Sequence, residues 1–472
     1  MSDRRDREPS EAVPEAAPAA LGLRRELGRI ESYATLIGIL VGAGIFRVTS
    51  DAWSLTGSSV VLAYLSLAPA VLATSVPYAV FLSTPLGRLP GGEYTHISRT
   101  FHRAPVAFVG VWIKIIAYLG ALAYLSQAFA DYLLELDGGA GTHATAATLG
   151  VALGILALFY VIHVLGVRWF GRLQVFMFAI LGVSILVLVL PGFFAIAPQN
   201  YPPVFTHGAR GFASCLPLLF FAYAGFESLA QTAGEVRDST RHLPRVFLRG
   251  VLVTTLLFAA ISFVAFGVLP GDVLRQSRAP MADVARVYLP RFGSSIVVVG
   301  ALMALTTSIN ATMLVPSRLA VMLSADDLAP RWLRRIHPRT GTPVVGLTLT
   351  YAIAAALLVS RQLSLALNIA VLAMVLLYLL HSVALLCVPR TNPTLYAART
   401  LRMPHAVLMA SAAFSAVAMA GLTAVIVNGD LRTLANEDWG ARLAAGRLTS
   451  LELLVLWSLL GLWLYRLSQR KR

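Results

Sequence analysis

The run Leu173–Ala197, LQVFMFAILGVSILVLVLPGFFAIA, carries no charge and no alternation of polar and apolar positions. A helix that crosses a bilayer needs roughly 20 mostly apolar residues, whereas a barrel strand needs about 10 with a two-residue period. The run therefore predicts a membrane-spanning α-helix. Similar blocks flank it on both sides, giving twelve in all, centred near residues 42, 70, 118, 155, 183, 222, 258, 306, 350, 375, 416 and 458. Composition agrees: the 472 residues are 57% hydrophobic and 13% charged, about half the charge of a soluble chain, and the mean hydropathy is +0.73. The expectation is an all-α membrane protein with twelve transmembrane helices.

Residues 1–29 are rich in Pro, Ala, Glu and Arg and contain no apolar run. They read as a disordered cytoplasmic tail without a separate targeting peptide. With both termini inside, the segments on the cytoplasmic side hold 27 Lys and Arg and those outside hold 10, which is the sense of the positive-inside rule. Much of the net charge of +15 then faces anionic lipid, and no nucleic-acid partner is required. Cys215 and Cys387 both fall in apolar spans, toward opposite membrane faces, and read as packed thiols. No phosphate loop and no HExxH helix is present, and the nine His do not cluster at ligand spacing. Direct nucleotide drive, metal sites and cofactors are therefore not called for.

Two blocks are interrupted. Tyr33–Phe46, YATLIGILVGAGIF, holds Gly38, Gly42 and Gly44, and each glycine in a helix interior costs roughly 1 kcal/mol against alanine. An unwound point at Gly42–Ala43–Gly44 would free backbone N–H groups at the positive end of a half-helix, where a carboxylate can sit. The alternative is a glycine groove for close helix packing. Phe220–Glu227, FFAYAGFE, follows Pro217, has Gly225 near its centre and carries Glu227 deep in the span. An ionisable group at that depth is costly and marks either function or a packed carboxyl. Breaks in the first and sixth blocks point to two inverted five-helix halves, about residues 30–197 and 209–390, with a ligand site between them. Residues 391–472 would add two helices and a short basic tail.

These residues resemble the amino acid–polyamine–organocation superfamily, whose members have the LeuT-type fold. The similarity covers roughly residues 30–390: G-A-G-I-F at Gly42–Phe46, P-G-G-E-Y at Pro90–Tyr94, F-F-A-Y-A-G-F-E at Phe220–Glu227, R-H-L-P-R at Arg241–Arg245, and N-A-T-M-L-V-P-S-R at Asn310–Arg318 with the loop to Pro343. The resemblance implies an amino acid permease of the cell membrane, working by alternating access. The α-carboxylate would meet the backbone at Gly42, Ala43, Gly44 and Ile45. The ammonium would meet carbonyls near Leu40, Phe221 and Ala224, beside Ala222 and Gly225. Phe221 matches an aromatic lid, and Glu227 a gating or proton-linked carboxyl. Proton-coupled symport or exchange of neutral amino acids is the expected activity. A cationic amino acid or polyamine transporter, and a transporter-like amino acid sensor, are the alternatives.

Coupling is open between proton and sodium. Ala304, Thr307 and Ser308 share one helix face, so Thr307 and Ser308 offer oxygens for a cation or bonds to their own backbone. Some sodium-independent relatives place a lysine in the fifth span; here Leu181 stands at the corresponding position. Lys114, in the third span, is read as snorkelling to the inner surface rather than as part of a permeation path. Gln127, Tyr223, Asn368 and His381 read as interhelical hydrogen-bonding residues. Expected partners are thus an amino acid, membrane lipid and a coupling proton or sodium. No channel-like polar stripe and no nucleophile beside a base is present. The oligomeric state is not legible.

Overall fold

The structure, a computed structural model, describes residues 23–42, 45, 49–101, 104–135, 145–201, 204–277, 280–289, 293–360, 363–444 and 448–469. In chain order its main helices are α1 (Arg29–Val41), α2 (Thr49–Thr56), α3 (Val60–Leu82), α4 (Gly92–Phe101), α5 (Ala104–Glu135), α6 (Thr145–Val164), α7 (Val167–Phe194), α8 (Gly208–Tyr223), α9 (Ser228–Gln231), α10 (Ser239–Val268), α11 (Gly293–Ala325), α12 (Val344–Ser360), α13 (Leu363–Thr391), α14 (His405–Asn436) and α15 (Ser450–Gln469). Among the described residues, eight helices are long and apolar enough to cross a bilayer, and α12 and Ser450–Trp463 of α15 are shorter apolar helices. Hydrocarbon offers no partner for backbone N–H and C=O groups, so a chain of this composition satisfies them within helices.

Burial separates inner from outer helices. The most apolar 18-residue stretch of α11 is 83% buried, that of α14 only 22%. α7 and α14 turn Phe176, Val183, Leu190, Phe414 and Val417 outward, as helices facing lipid do. Close approach is bought by small residues. A methyl group on Gly300 of α11 would meet Ser184 of α7 at 1.9 Å, and one on Gly250 of α10 would meet Leu36 of α1 at 2.4 Å.

One expectation changes. Residues 23–28 fall within the expected disordered tail, yet Leu23 and Leu27 are buried. Leu27 pairs with Glu235 and Arg237 through Leu27 N–H to Glu235 O at 3.0 Å and Arg237 N–H to Leu27 O at 2.8 Å. Burying two leucines against a neighbouring segment outweighs the polar composition around them. The P-G-G-E-Y motif leads into a separate helix, α4, before the span α5 begins. Positive φ at Gly91 and Gly92 makes the sharp turn there that only glycine tolerates well.

Candidate functional site

The first break begins where α1 ends at Val41. Gly42 has φ −45° and ψ −136°, outside helical geometry. Gly42 lies so close to α11 that an added Cβ would stand 1.8 Å from Ser308 Oγ. Ala43 and Gly44 lie outside the described residues; Ile45 is buried. The Thr307 hydroxyl is 2.9 Å from Gly38 O and 2.7 Å from Ala304 O. The Ser308 hydroxyl is 3.1 Å from both Ile39 O and Ala304 O. Each hydroxyl has one proton to share between its own helix and α1, so the expected bonds to their own backbone are made, at Ala304 O. Gln174 of α7 reinforces the joint, donating to Ala34 O at 3.2 Å and Thr307 O at 3.3 Å and accepting from Asn310 at 2.7 Å. Leu181, one helical stretch further on, is simply buried.

The second break spans Ala224–Glu227, between α8 and α9. Gly225 has φ +109°, a conformation that glycine alone adopts without strain. The turn carries Glu227 inward to full burial. One carboxylate oxygen accepts from Tyr118 Oη of α5 at 2.5 Å. The other accepts from Gly225 N–H at 3.0 Å and from the Tyr378 hydroxyl of α13. Among the described residues no Lys or Arg forms an ion pair with it.

The last turn of α1 and the second break face one cavity of about 40 Å³, room for about three waters. Leu40 and Ser308 line one side, and Ala222, Ala224 and Gly225 the other. The remaining wall is Ile39, Tyr118, Ala121, Leu125, Thr312, Ala370 and Met374. The structure thus brings together Leu40, Ala222, Ala224, Gly225 and Ser308 around one space, with Gly42 against Ser308. Thr307 points its hydroxyl at the α1 carbonyls behind that wall. Phe221 lies in α8, its side chain outside the described residues. Tyr118 and Tyr378 were missed. The available signal was Tyr118 one helical turn after Lys114, and Tyr378 three residues before His381, tyrosines aligned with polar groups inside apolar spans.

Lys114 requires a correction. It does not snorkel: its side chain is fully buried, with Nζ 2.8 Å from Glu93 Oε2, itself fully buried. Glu93 also accepts from Gln231 Nε2 at 2.5 Å and from the Tyr78 hydroxyl. The partner arrives from α4, which turns back over the end of α5, so the amine is paired where it stands instead of reaching for the surface. His96 and His381 share a hydrogen bond at 3.1 Å beside this pair. Tyr223 donates to Tyr64 O at 3.3 Å, an interhelical bond as expected. Gln127 instead bonds Asp131 on its own helix at 3.0 Å. The side chain of Asn368 is outside the described residues. Below the cavity, Arg318 of α11 grips Glu235 with two bonds, at 2.9 and 3.3 Å, both groups buried.

Apolar helices, two of them interrupted beside a small cavity whose wall residues Tyr118 and Gly225 hold a buried carboxylate behind it, form the framework of a membrane transporter. Residues 27–437 match the amino acid permease family. Relatives include the branched-chain amino acid permease BcaP of Bacillus subtilis, 26% identical over 338 residues, 68% of this chain and 72% of the relative. Cationic amino acid transporter 9, chloroplastic, of Arabidopsis thaliana is 28% identical over 346 residues, 70% of this chain and 60% of the relative. The methylthioribose transporter of Bacillus subtilis is 26% identical over 347 residues, 71% and 74% of the two chains. The chain belongs to the amino acid permease family; it is a multi-pass membrane transporter and not an enzyme.

Proposed function

We propose that this chain is a secondary active transporter of neutral amino acids in the cell membrane, working by alternating access as a proton-coupled symporter or an exchanger. The observation that carries the reading is the convergence of the end of α1, where the first break begins, and the second break on one small, apolar-walled cavity. Broken helices present unpaired backbone groups at membrane depth, and a zwitterion is a ligand they suit. The backbone from Gly42 to Ile45 would hold the α-carboxylate. Carbonyls near Leu40, Phe221 and Ala224 would hold the ammonium, Phe221 would close over it, and Glu227 would answer its charge or carry the coupled proton. Ala222 and Ala224 leave an apolar space for the side chain. Thr307 and Ser308 would serve a sodium ion through their oxygen lone pairs, with their protons donated to Ala304 O.

The architecture belonging to this reading has twelve spans, with residues 30–390 as a LeuT-type core of two inverted halves (about 30–197 and 209–390). α14 and α15 lie outside the repeat, and both termini face the cytoplasm. A second reading, transport of cationic amino acids or polyamines, draws on Glu227, which lacks a cationic partner among the described residues. Uptake of labelled leucine, arginine and putrescine into proteoliposomes, with imposed proton or sodium gradients and with internal amino acid, tests both. Saturable leucine uptake raised by a proton gradient or by exchange is expected. Arginine or putrescine uptake without leucine uptake replaces the first reading with the second.

A further inference from the structure

The buried charges around the cavity do not balance in pairs. Glu93 and Glu227 are both fully buried, and so is one cation, Lys114. The groups bonded to these carboxylates come from the surrounding helices: Tyr78 of α3 and Gln231 of α9 on Glu93, and Tyr118 of α5 and Tyr378 of α13 on Glu227, with His96 of α4 and His381 of α13 bonded to each other nearby. Lys114 is committed to Glu93 at 2.8 Å, yet it is also a near neighbour of the cavity. Its Nζ stands 5.2 Å from the centre of the Tyr118 ring. The hydroxyl of that same ring donates to Glu227 at 2.5 Å, and Tyr118 is part of the cavity wall. One tyrosine therefore touches both charges: its ring faces the ammonium and its hydroxyl holds the Glu227 carboxylate.

We propose that Lys114 is a specificity-determining residue, an internal cation that cancels Glu93 and leaves Glu227 as the single negative charge for a substrate to match. The inference rests on the amino acid reading of the cavity and names the charge class that the cavity accepts. In a water-poor interior, charges act well beyond contact distance, and a buried charge without a counter-charge is strongly disfavoured. A zwitterion brings one ammonium for Glu227, while its carboxylate is met by backbone N–H groups. A cationic amino acid brings a second positive charge into the field of Lys114. Lys114 thus acts as the repulsive element that rejects the wrong substrate, holding Tyr118 in place rather than touching the ligand. A lysine kept only to tie α4 to α5 would need its charge matched to Glu93, but would not influence which substrate is chosen.

The test measures the ratio of arginine to leucine uptake in proteoliposomes for the wild-type chain, Lys114→Met, Glu93→Gln and the double variant Glu93→Gln/Lys114→Met. Lys114→Met, which leaves two unmatched carboxylates, is expected to raise the ratio at least about tenfold. Glu93→Gln, which leaves the cation unmatched, is expected to lower it. The double variant restores one net negative charge and is expected to return within about threefold of wild type. A ratio unchanged in both single variants, or a double variant as shifted as Lys114→Met, overturns the proposal and leaves the pair a structural tie. If Lys114→Met does not fold, the direction of the Glu93→Gln shift decides alone, and an unchanged ratio there is the overturning result. Wild-type vesicles that take up neither amino acid sink the functional reading and this inference together; active wild type with flat ratios sinks only the inference.

Discussion

Gly42 has no room for a methyl group. An alanine there would place Cβ 1.8 Å from Ser308 Oγ and 3.1 Å from Ile39 O, so α1 and α11 must part. Overpacking of this kind costs about 1–3 kcal/mol. Gly42→Ala is expected to lower the unfolding temperature and the leucine affinity together, and Ser308→Gly in the same chain to restore much of both; thermal unfolding in detergent with and without leucine reads them. Glu227 offers a second test at this scale. Its carboxylate accepts from Tyr118, Tyr378 and Gly225 N–H. Glu227→Gln keeps the shape and removes the charge: its amide oxygen can accept from Gly225 N–H and Tyr378, and its NH2 can donate to Tyr118 Oη. Initial uptake rates across a pH series are expected to lose their pH dependence in this variant. An unchanged profile would make Glu227 a structural carboxyl.

At the scale of elements, the last helix is fastened to the bundle by two tryptophans. Trp112 Nε1 of α5 donates to Trp457 O of α15, and Trp457 Nε1 donates to Trp112 O, each at 2.7 Å. The rings stack 4.6 Å apart at 12°, and Gly461 lets the indole of Trp112 approach its backbone. Stacked, hydrogen-bonded indoles keep their polar edge satisfied while their faces are buried. Trp457→Ala removes the Trp457 Nε1 bond and the stacking while leaving the carbonyl that Trp112 donates to, and truncations of this size cost about 3–5 kcal/mol in a packed interior. The expected outcome is earlier proteolytic release of the C-terminal segment and a lower unfolding temperature, with leucine uptake per folded molecule largely kept. Loss of uptake with stability intact would place α15 within the transport cycle.

Across the whole molecule, one end of the bundle is tied together by segments far apart in the chain. Arg318 and Glu235 form a buried two-bond pair, and Leu27 is clamped between Glu235 and Arg237. Removing one partner of a buried pair costs about 3–5 kcal/mol, whereas replacing both with apolar groups is often neutral. Arg318→Met is therefore expected to destabilise the closed form and to speed thiol labelling of a Leu27→Cys reporter. Arg318→Met/Glu235→Met is expected to recover most of the stability. Labelling that stays slow in Arg318→Met would show that the pair does not hold this end shut.

Much about this chain was legible because it is local. Uncharged runs of 25 residues such as Leu173–Ala197 leave a helix in lipid as the only way to satisfy the backbone. Gly42 and Gly225 announce breaks by their own conformational freedom, and Glu227 stands out as an ionisable group at membrane depth. What the amino-acid order does not carry is which groups meet. Glu227 finds Tyr118 and Tyr378 at separations of 109 and 151 residues. Lys114 is paired with Glu93 because α4 packs against α5, and hydropathy along α5 alone makes a snorkelling lysine the natural reading. A helix's own pattern states which residues are polar; the packing of its neighbours decides whether water, lipid or another side chain receives them. The sequence by itself therefore determined the membrane class, the breaks and one buried carboxylate, while the charge partners and the size of the cavity were decided by tertiary structure.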